Sequence, residues 1–210
     1  RPATEVGGDL VDYIKLDGAG FGIALADVSG KGLSAALLAA KLQATLRAVT
    51  PGYASLDALG SKLNQIFCRD NLKNYFASLL YFDVQHNSGD VRVLNAGHPP
   101  PLLIKGKHVE TMHKGGVALG IMPGGVFTEQ RIHVDIGEFI VAYSDGLTEA
   151  RNEAGEFFGD ERLLALSSSM ADCSAEEAGA MLFEKIDRFV GEAKVHDDLS
   201  IVVLKRVQNS

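Results

Sequence analysis

The spacing of apolar residues changes period four times along this chain. Residues 5–16 alternate in part and predict a strand, and residues 21–27 are apolar at most positions, as in a strand buried on both faces. Asp17-Gly18-Ala19-Gly20 between them predicts a hairpin turn, because glycine supplies the positive φ such turns need. From Gly32 to Val49 the period becomes helical, and Leu33, Leu37, Ala40, Lys41 and Ala44 suggest a well-buried helix that stops at Pro51-Gly52. Ser55 is placed to cap a second helix over 56–72, with Leu59, Leu63 and Ile66 on one face. Strands are then predicted over 76–84 and 90–96, joined at Asn87-Ser88-Gly89, and over 101–104, 107–112, 126–135 and 138–144. Helical spacing returns at 160–168 and 174–190, where Ser174 and Glu177 form a capping-box pattern, and a last strand covers 199–206.

Strands joined by short turns pair antiparallel, and here the helices come in pairs rather than between successive strands. That order is not the βαβ rhythm of a doubly wound sheet. Antiparallel sheets packed on each other, with helix pairs on their outer faces, would bury every apolar stripe.

Composition narrows the function. The 210 residues suggest one domain, and an apolar content of 46% supports a sizeable core. The net charge of -7, without a lysine or arginine cluster, argues against a nucleic-acid surface, which needs concentrated positive charge. Cys68 and Cys173 lack partners at metal-ligand spacing and read as buried or half-buried thiols. No apolar run reaches the roughly 18 residues of a membrane span, and no signal peptide is visible. The chain begins at Arg1 rather than Met, so a fragment of a longer, multidomain polypeptide is expected.

Candidate chemistry lies in four aspartates at the ends of strand-like runs: Asp9, Asp27, Asp145 and Asp197. Each has an ordinary reading alone: a bulge, a strand-to-helix turn, an Asp-Gly turn and a solvated acidic pair. As a set they are harder to explain by turn chemistry. Carboxylates gathered at sheet rims repel unless protons or cations neutralise them, and an oxygen-only set suits Mg²⁺ or Mn²⁺. Asp197 and Asp198 should point to opposite faces of a strand, so one of the two would reach a given site. Lys31 follows a glycine turn, but the phosphate-cradling G-x-x-x-x-G-K-[ST] pattern is absent. No G-x-S-x-G elbow favours a serine hydrolase, and the histidines form no H-x-x-x-H pattern for zinc. His98, beside a proline run, reads as a residue bonding to local backbone.

Six segments occur in order: E-V-G-G-D-L-V-D, A-D-V-S-G-K-G-L-S-A-A-L-L, N-A-G-H-P-P-P-L-L, A-L-G-I, S-D-G-L-T-E-A and D-D-L-S-I-V-V-L. Together they resemble the bacterial SpoIIE/RsbU-type branch of the metal-dependent (PPM, type 2C) serine/threonine phosphatases, from Thr4 to about Val207. The resemblance implies an α+β fold, a four-layer αββα sandwich of two antiparallel sheets flanked by helix pairs, forming one domain over residues 1–210. It implies two Mn²⁺ or Mg²⁺ ions, with Asp27 bridging them, Asp9 and the Val28 carbonyl serving one, and Asp145 and Asp197 the other. Glu5, Asp198 and Lys31 would be auxiliary, and His98 structural.

A water bridging the ions, not a protein nucleophile, would then attack the phosphorus of phosphoserine or phosphothreonine. The implied substrate is a phosphorylated STAS-domain anti-sigma-factor antagonist, in the cytoplasm. This branch lacks the phosphate-holding arginine of its eukaryotic relatives. An upstream sensor or regulatory segment, and a homodimer, are implied as routes to full activity. Two other readings remain at this point: a non-catalytic scaffold with the same fold, and a small-molecule phosphatase.

Overall fold

A computed structural model of the chain describes residues 7–16, 18, 20–70, 75–85 and 88–208. Arg1, Glu5, the turn positions Asp17, Ala19 and Asn87, and residues 71–72 of the expected second helix lie outside the described residues. In chain order the strands are β1 (Asp9–Lys15), β2 (Gly20–Val28), β3 (Ala77–Gln85), β4 (Asp90–Ala96), β5 (Leu102–Lys105), β6 (His108–Thr111), β7 (Glu129–His133), β8 (Phe139–Tyr143) and β9 (Ile201–Lys205). The helices are α1 (Leu33–Val49), α2 (Leu56–Asp70), α3 (Asp145–Thr148), α4 (Gly159–Ser167) and α5 (Ala175–Val190). Two compact units result: one takes the described residues up to His98 together with 113–133, the other takes 99–112 and the residues from Val134 onward.

The first unit is an antiparallel sheet in the order β1-β2-β3-β4-β7, with α1 and α2 on one face. Along β1 the burial alternates: Leu10, Asp12 and Ile14 are buried, while Val11 and Tyr13 are exposed. Leu10 and Ile14 join Ala24, Ala26, Val28, Leu79 and Tyr81 beneath the helices. The helices contribute Ala35, Ala39, Leu42 and Leu46 from α1 and Leu56, Leu59, Leu63 and Phe67 from α2. Each fully buried leucine stabilises the fold by about 1.5–3 kcal/mol.

The buried stripe of α1 is not the one its sequence suggests. Leu33 and Leu37 are 69% and 62% exposed, and the face turned to the sheet carries Ala35, Ala39, Leu42 and Leu46. In a helix this rich in Ala and Leu, several faces satisfy the apolar period, so periodicity does not choose among them. The chosen face opposes alanines 24 and 26 of β2 with alanines of its own, and small residues on both sides let helix and sheet approach closely.

Helix α2 starts where expected, with the Ala58 amide donating to Ser55 Oγ at 3.4 Å. A second cap comes from far along the chain: the Leu56 amide donates to Glu129 Oε2 at 3.1 Å, and the Glu129 amide donates to the Asp57 carboxylate. These bonds satisfy donors that a helix start leaves open and fasten β7 to α2.

The second unit is an antiparallel sheet in the order β6-β5-β8-β9. Every residue of β8 is buried. Leu163 of α4 and Ala178, Leu182, Ile186 and Val190 of α5 pack with Leu102, Ile104, Phe139, Val141 and Tyr143. The expected capping box opens α5: the Glu177 amide donates to Ser174 Oγ at 3.1 Å, and the Ser174 amide donates to Glu177 Oε2 at 2.7 Å. The short α3 stands where the sequence suggested a turn. Both cysteines are free and half-buried. No helix among the described residues is long and apolar enough to cross a membrane.

Candidate metal centre

Two of the four aspartates meet in the first unit. Asp9 opens β1 and is the direct antiparallel partner of Asp27 near the end of β2. Directly opposed residues share a face, with Cβ atoms about 4.5–5.5 Å apart. Because Leu10, Ala26 and Val28 lie in the core under α1 and α2, Asp9 and Asp27 occupy the opposite face. Both are half-buried.

Gly8 permits this approach. A Cβ at position 8 would sit 2.8 Å from the Val28 carbonyl oxygen and 3.4 Å from Asp27 Oδ1. The Val28 amide also donates to the Gly8 carbonyl at 3.3 Å. The Asp9 and Asp27 carboxylates and the Val28 carbonyl are therefore clustered oxygen donors at one strand rim.

After β2 the chain turns through Ser29–Gly32 into α1. The Ser29 amide donates to the Phe76 carbonyl and the Phe76 amide to Ser29 Oγ, each at 2.9 Å, which pins this turn to the start of β3. Lys31 is exposed on the turn.

Asp145 and Asp197 lie in the second unit. Asp145 is half-buried and is the first residue of α3, directly after the buried strand β8. Ser144 is fully buried and ties this corner together. Its hydroxyl donates to the Asp198 carbonyl at 3.2 Å and accepts from the Ser200 amide at 3.0 Å. Gly146 sits hard against the same strand entry, where a Cβ would lie 1.9 Å from the Asp198 carbonyl oxygen. The residue after Asp145 thus touches the backbone of the Asp197-Asp198 pair. Asp198 is buried and Asp197 exposed, with the Asp198 amide donating to Asp197 Oδ1 at 3.0 Å.

The acids are therefore brought together two by two, Asp9 with Asp27 and Asp145 with the 197–198 segment. Among the described residues no three His, Cys, Asp or Glu side chains form a cation cage by themselves. Glu5 lies outside the described residues. The donor chemistry suits a hard divalent cation: every candidate atom is a carboxylate or carbonyl oxygen, with no thiolate or imidazole among them.

Sequence reasoning missed three contributors. Ser78 is the partner of Asp27 on β3. His98 does bond locally, its amide donating to Asn95 Oδ1 at 2.9 Å while its carbonyl accepts from Asn95 Nδ2 at 3.0 Å. Its ring reaches farther, with Nδ1 lying 2.7 Å from Ser78 Oγ. Ser144 is the third. The alternation in A-S-L-L-Y puts Ser78 opposite the helix-facing residues, but its register against β2 is visible only in the folded sheet.

Comparisons with known proteins bear on the family and the fold. The profile of the family described as Stage II sporulation protein E (SpoIIE) matches residues 17–207. Protein IcfG of Synechocystis is 27% identical over 98% of this chain and 37% of its own length. Phosphoserine phosphatase RsbU of Bacillus subtilis is 26% identical over 98% of this chain and 61% of its own. The chain thus spans less than two thirds of either relative. Among solved structures, the SiaA-PP2C domain of Pseudomonas aeruginosa superposes with a TM-score of 0.83 at 21% identity, covering 97% of this chain and 82% of that one. The RsbU and RsbW domains of Rv1364c from Mycobacterium tuberculosis give 0.79 at 24% identity, over 97% and 56%. At these identities the structural likeness establishes the fold: two antiparallel sheets with their helices, as in PP2C-type domains.

Proposed function

This chain belongs to the SpoIIE family, and from that premise we propose that it is a metal-dependent phosphoprotein phosphatase acting on phosphoserine or phosphothreonine. The observation that carries the reading is the Asp9–Asp27 pair with the Val28 carbonyl, packed at one strand rim around a glycine that no larger residue could replace without displacing an oxygen. Asp9, Asp27, Val28, Asp145 and Asp197 would hold two Mn²⁺ or Mg²⁺ ions, with Glu5, Asp198 and Lys31 as auxiliary groups. When bound, such ions supply an acidified water and neutralise charge on the phosphoryl oxygens.

The chain's own residues do the positioning. Asp27, central among the donors, is fixed by its place in a strand paired on both sides. Ser144 and Gly146 hold Asp145 against the Asp197-Asp198 entry to β9. Helix α3 starts at Asp145, and its first turn is closed by the Glu149 amide donating to the Asp145 carbonyl at 2.8 Å.

The relative from Bacillus subtilis bears the name phosphoserine phosphatase. For this chain we place the substrate among phosphorylated STAS-type anti-sigma-factor antagonists in the cytoplasm, with regulation supplied by an upstream sensor segment or a homodimer.

The test is hydrolysis of p-nitrophenyl phosphate and of a phosphorylated STAS protein with Mn²⁺, with chelator, and with Asp27→Ala. Turnover should require Mn²⁺ and fall by at least about 100-fold in the variant, as when a group stabilising transition-state charge is removed. Metal-independent turnover that survives Asp27→Ala overturns the reading. Mn²⁺ binding without turnover of either substrate favours a scaffold.

A further inference from the structure

The geometry points to Ser78 and His98 as positioning residues that fix the Asp27 carboxylate. Asp27 is the cross-strand partner of Ser78, so the Ser78 hydroxyl and the Asp27 carboxylate stand side by side on the face of the sheet away from α1 and α2. His98 Nδ1 lies 2.7 Å from Ser78 Oγ. A serine hydroxyl has one proton to give and two lone pairs. With the imidazole donating from Nδ1, the serine keeps its own proton to offer, and the cross-strand carboxylate of Asp27 is the acceptor this assignment gives it.

The backbone that carries the His98 ring is itself fixed. Its backbone amide and carbonyl are both clasped by the Asn95 side chain, at 2.9 and 3.0 Å. The Asn95 carbonyl in turn accepts from the Gly116 amide at 2.8 Å. Asn95 is 1% exposed and His98 4%, so the clasp is shielded from competing water. A histidine needed only to shape the turn after β4 would require the Asn95 clasp alone, which uses backbone atoms of residue 98. The ring contact to Ser78 is additional, and it ends at the β3 position directly opposite Asp27.

The same pair could be misread as an activated nucleophile, since serine beside histidine is the arrangement that splits acyl and phosphoryl transfers into two steps. The positioning assignment is separated from it by what each substitution changes. It rests on the proposed role of Asp27 as a cation ligand, so the experiment reads Mn²⁺ binding directly, by titration calorimetry on the metal-stripped chain, alongside thermal melting in chelator.

Ser78→Ala should weaken Mn²⁺ binding about 10- to 100-fold, the usual loss when a group orienting a metal ligand is removed. Its melting in chelator should fall modestly, as when one buried donor loses its partner, while the chain stays folded at the titration temperature. Ser78→Thr keeps the hydroxyl and should bind Mn²⁺ within about threefold of the parent, well inside that loss. His98→Ala should reproduce the Ser78→Ala loss, and His98→Asn, whose amide can donate from nearly the same place as Nδ1, should recover most of it. If His98→Ala fails to fold, the Ser78 variants decide alone. Parent-like Mn²⁺ affinity in Ser78→Ala overturns the inference, as does a phosphorylated Ser78 trapped during turnover. If the parent and Asp27→Ala bind Mn²⁺ equally, it is instead the metal-centre reading that fails.

Discussion

Asp12 shows how one residue answers to its surroundings. It is 5% exposed on the helix-facing side of β1, a place where a lone carboxylate would be costly. Arg47 of α1 bonds both its oxygens, with Nε at 2.7 Å and Nη2 at 2.5 Å, and these bonds hold the carboxyl below its ordinary range. A depressed folded-state value stabilises the protein above the ordinary carboxylate range of about 4, and that stabilisation is lost as pH falls through the folded value. Asp12→Asn is therefore expected to cost about 1.5–3 kcal/mol at pH 7, the worth of a hydrogen bond to a charged group. The difference between variant and parent should shrink below pH 4, as denaturant melts across pH would read. A gap that stays constant down to pH 3 would show that the ion pair is not its source. The Asp12–Arg47 pair was not legible in the sequence. Positions 12 and 47 lie 35 residues apart, and only the choice of the inward face of α1 makes them neighbours.

At the scale of elements, strands and helices follow the sequence closely because their signals are local. Alternation, Gly turns and a Ser-x-x-Glu box act within a few residues. The capping box of α5 is a case in point, and Ser174→Ala should lower stability by about 1 kcal/mol, read as a modest drop in melting temperature with unchanged Mn²⁺ binding. Facing is another matter. On α1, Leu42→Ala removes a fully buried side chain and should cost about 2–5 kcal/mol. Leu37→Ala removes one that is 62% exposed and should stay within about 0.5 kcal/mol. Equal costs would mean that the helix presents a different face. The second cap of α2, from Glu129, is likewise beyond local reading, since it depends on β7 pairing with β4 rather than on any neighbour of Ser55.

For the molecule as a whole, cation binding by the proposed ligands Asp9, Asp27, Val28, Asp145 and Asp197 would be coupled to folding. A ligand that binds only the folded state stabilises it by mass action, by about 2.7 kcal/mol at a concentration of 100 times Kd. For a chain of this size that corresponds to a rise of about 5–10 °C in melting temperature. Saturating Mn²⁺ should produce such a shift in the parent and a much smaller one in Asp27→Ala. An equal shift in both would place the cation elsewhere.

The sequence by itself determined the element order, the antiparallel character of the sheets, the family, and the strand-end places of Asp9 and Asp27, because each of these is written in short-range pattern or in ordered motifs; Asp197, expected to open the last strand, instead lies in the loop ahead of β9, which begins at Ile201. It could not decide partnership. Which face of α1 turns inward, which serine stands opposite Asp27, and that the His98 ring reaches Ser78 all depend on strand register. Register is set by the simultaneous burial of side chains far apart in the chain, so those answers exist only once the sheets have formed.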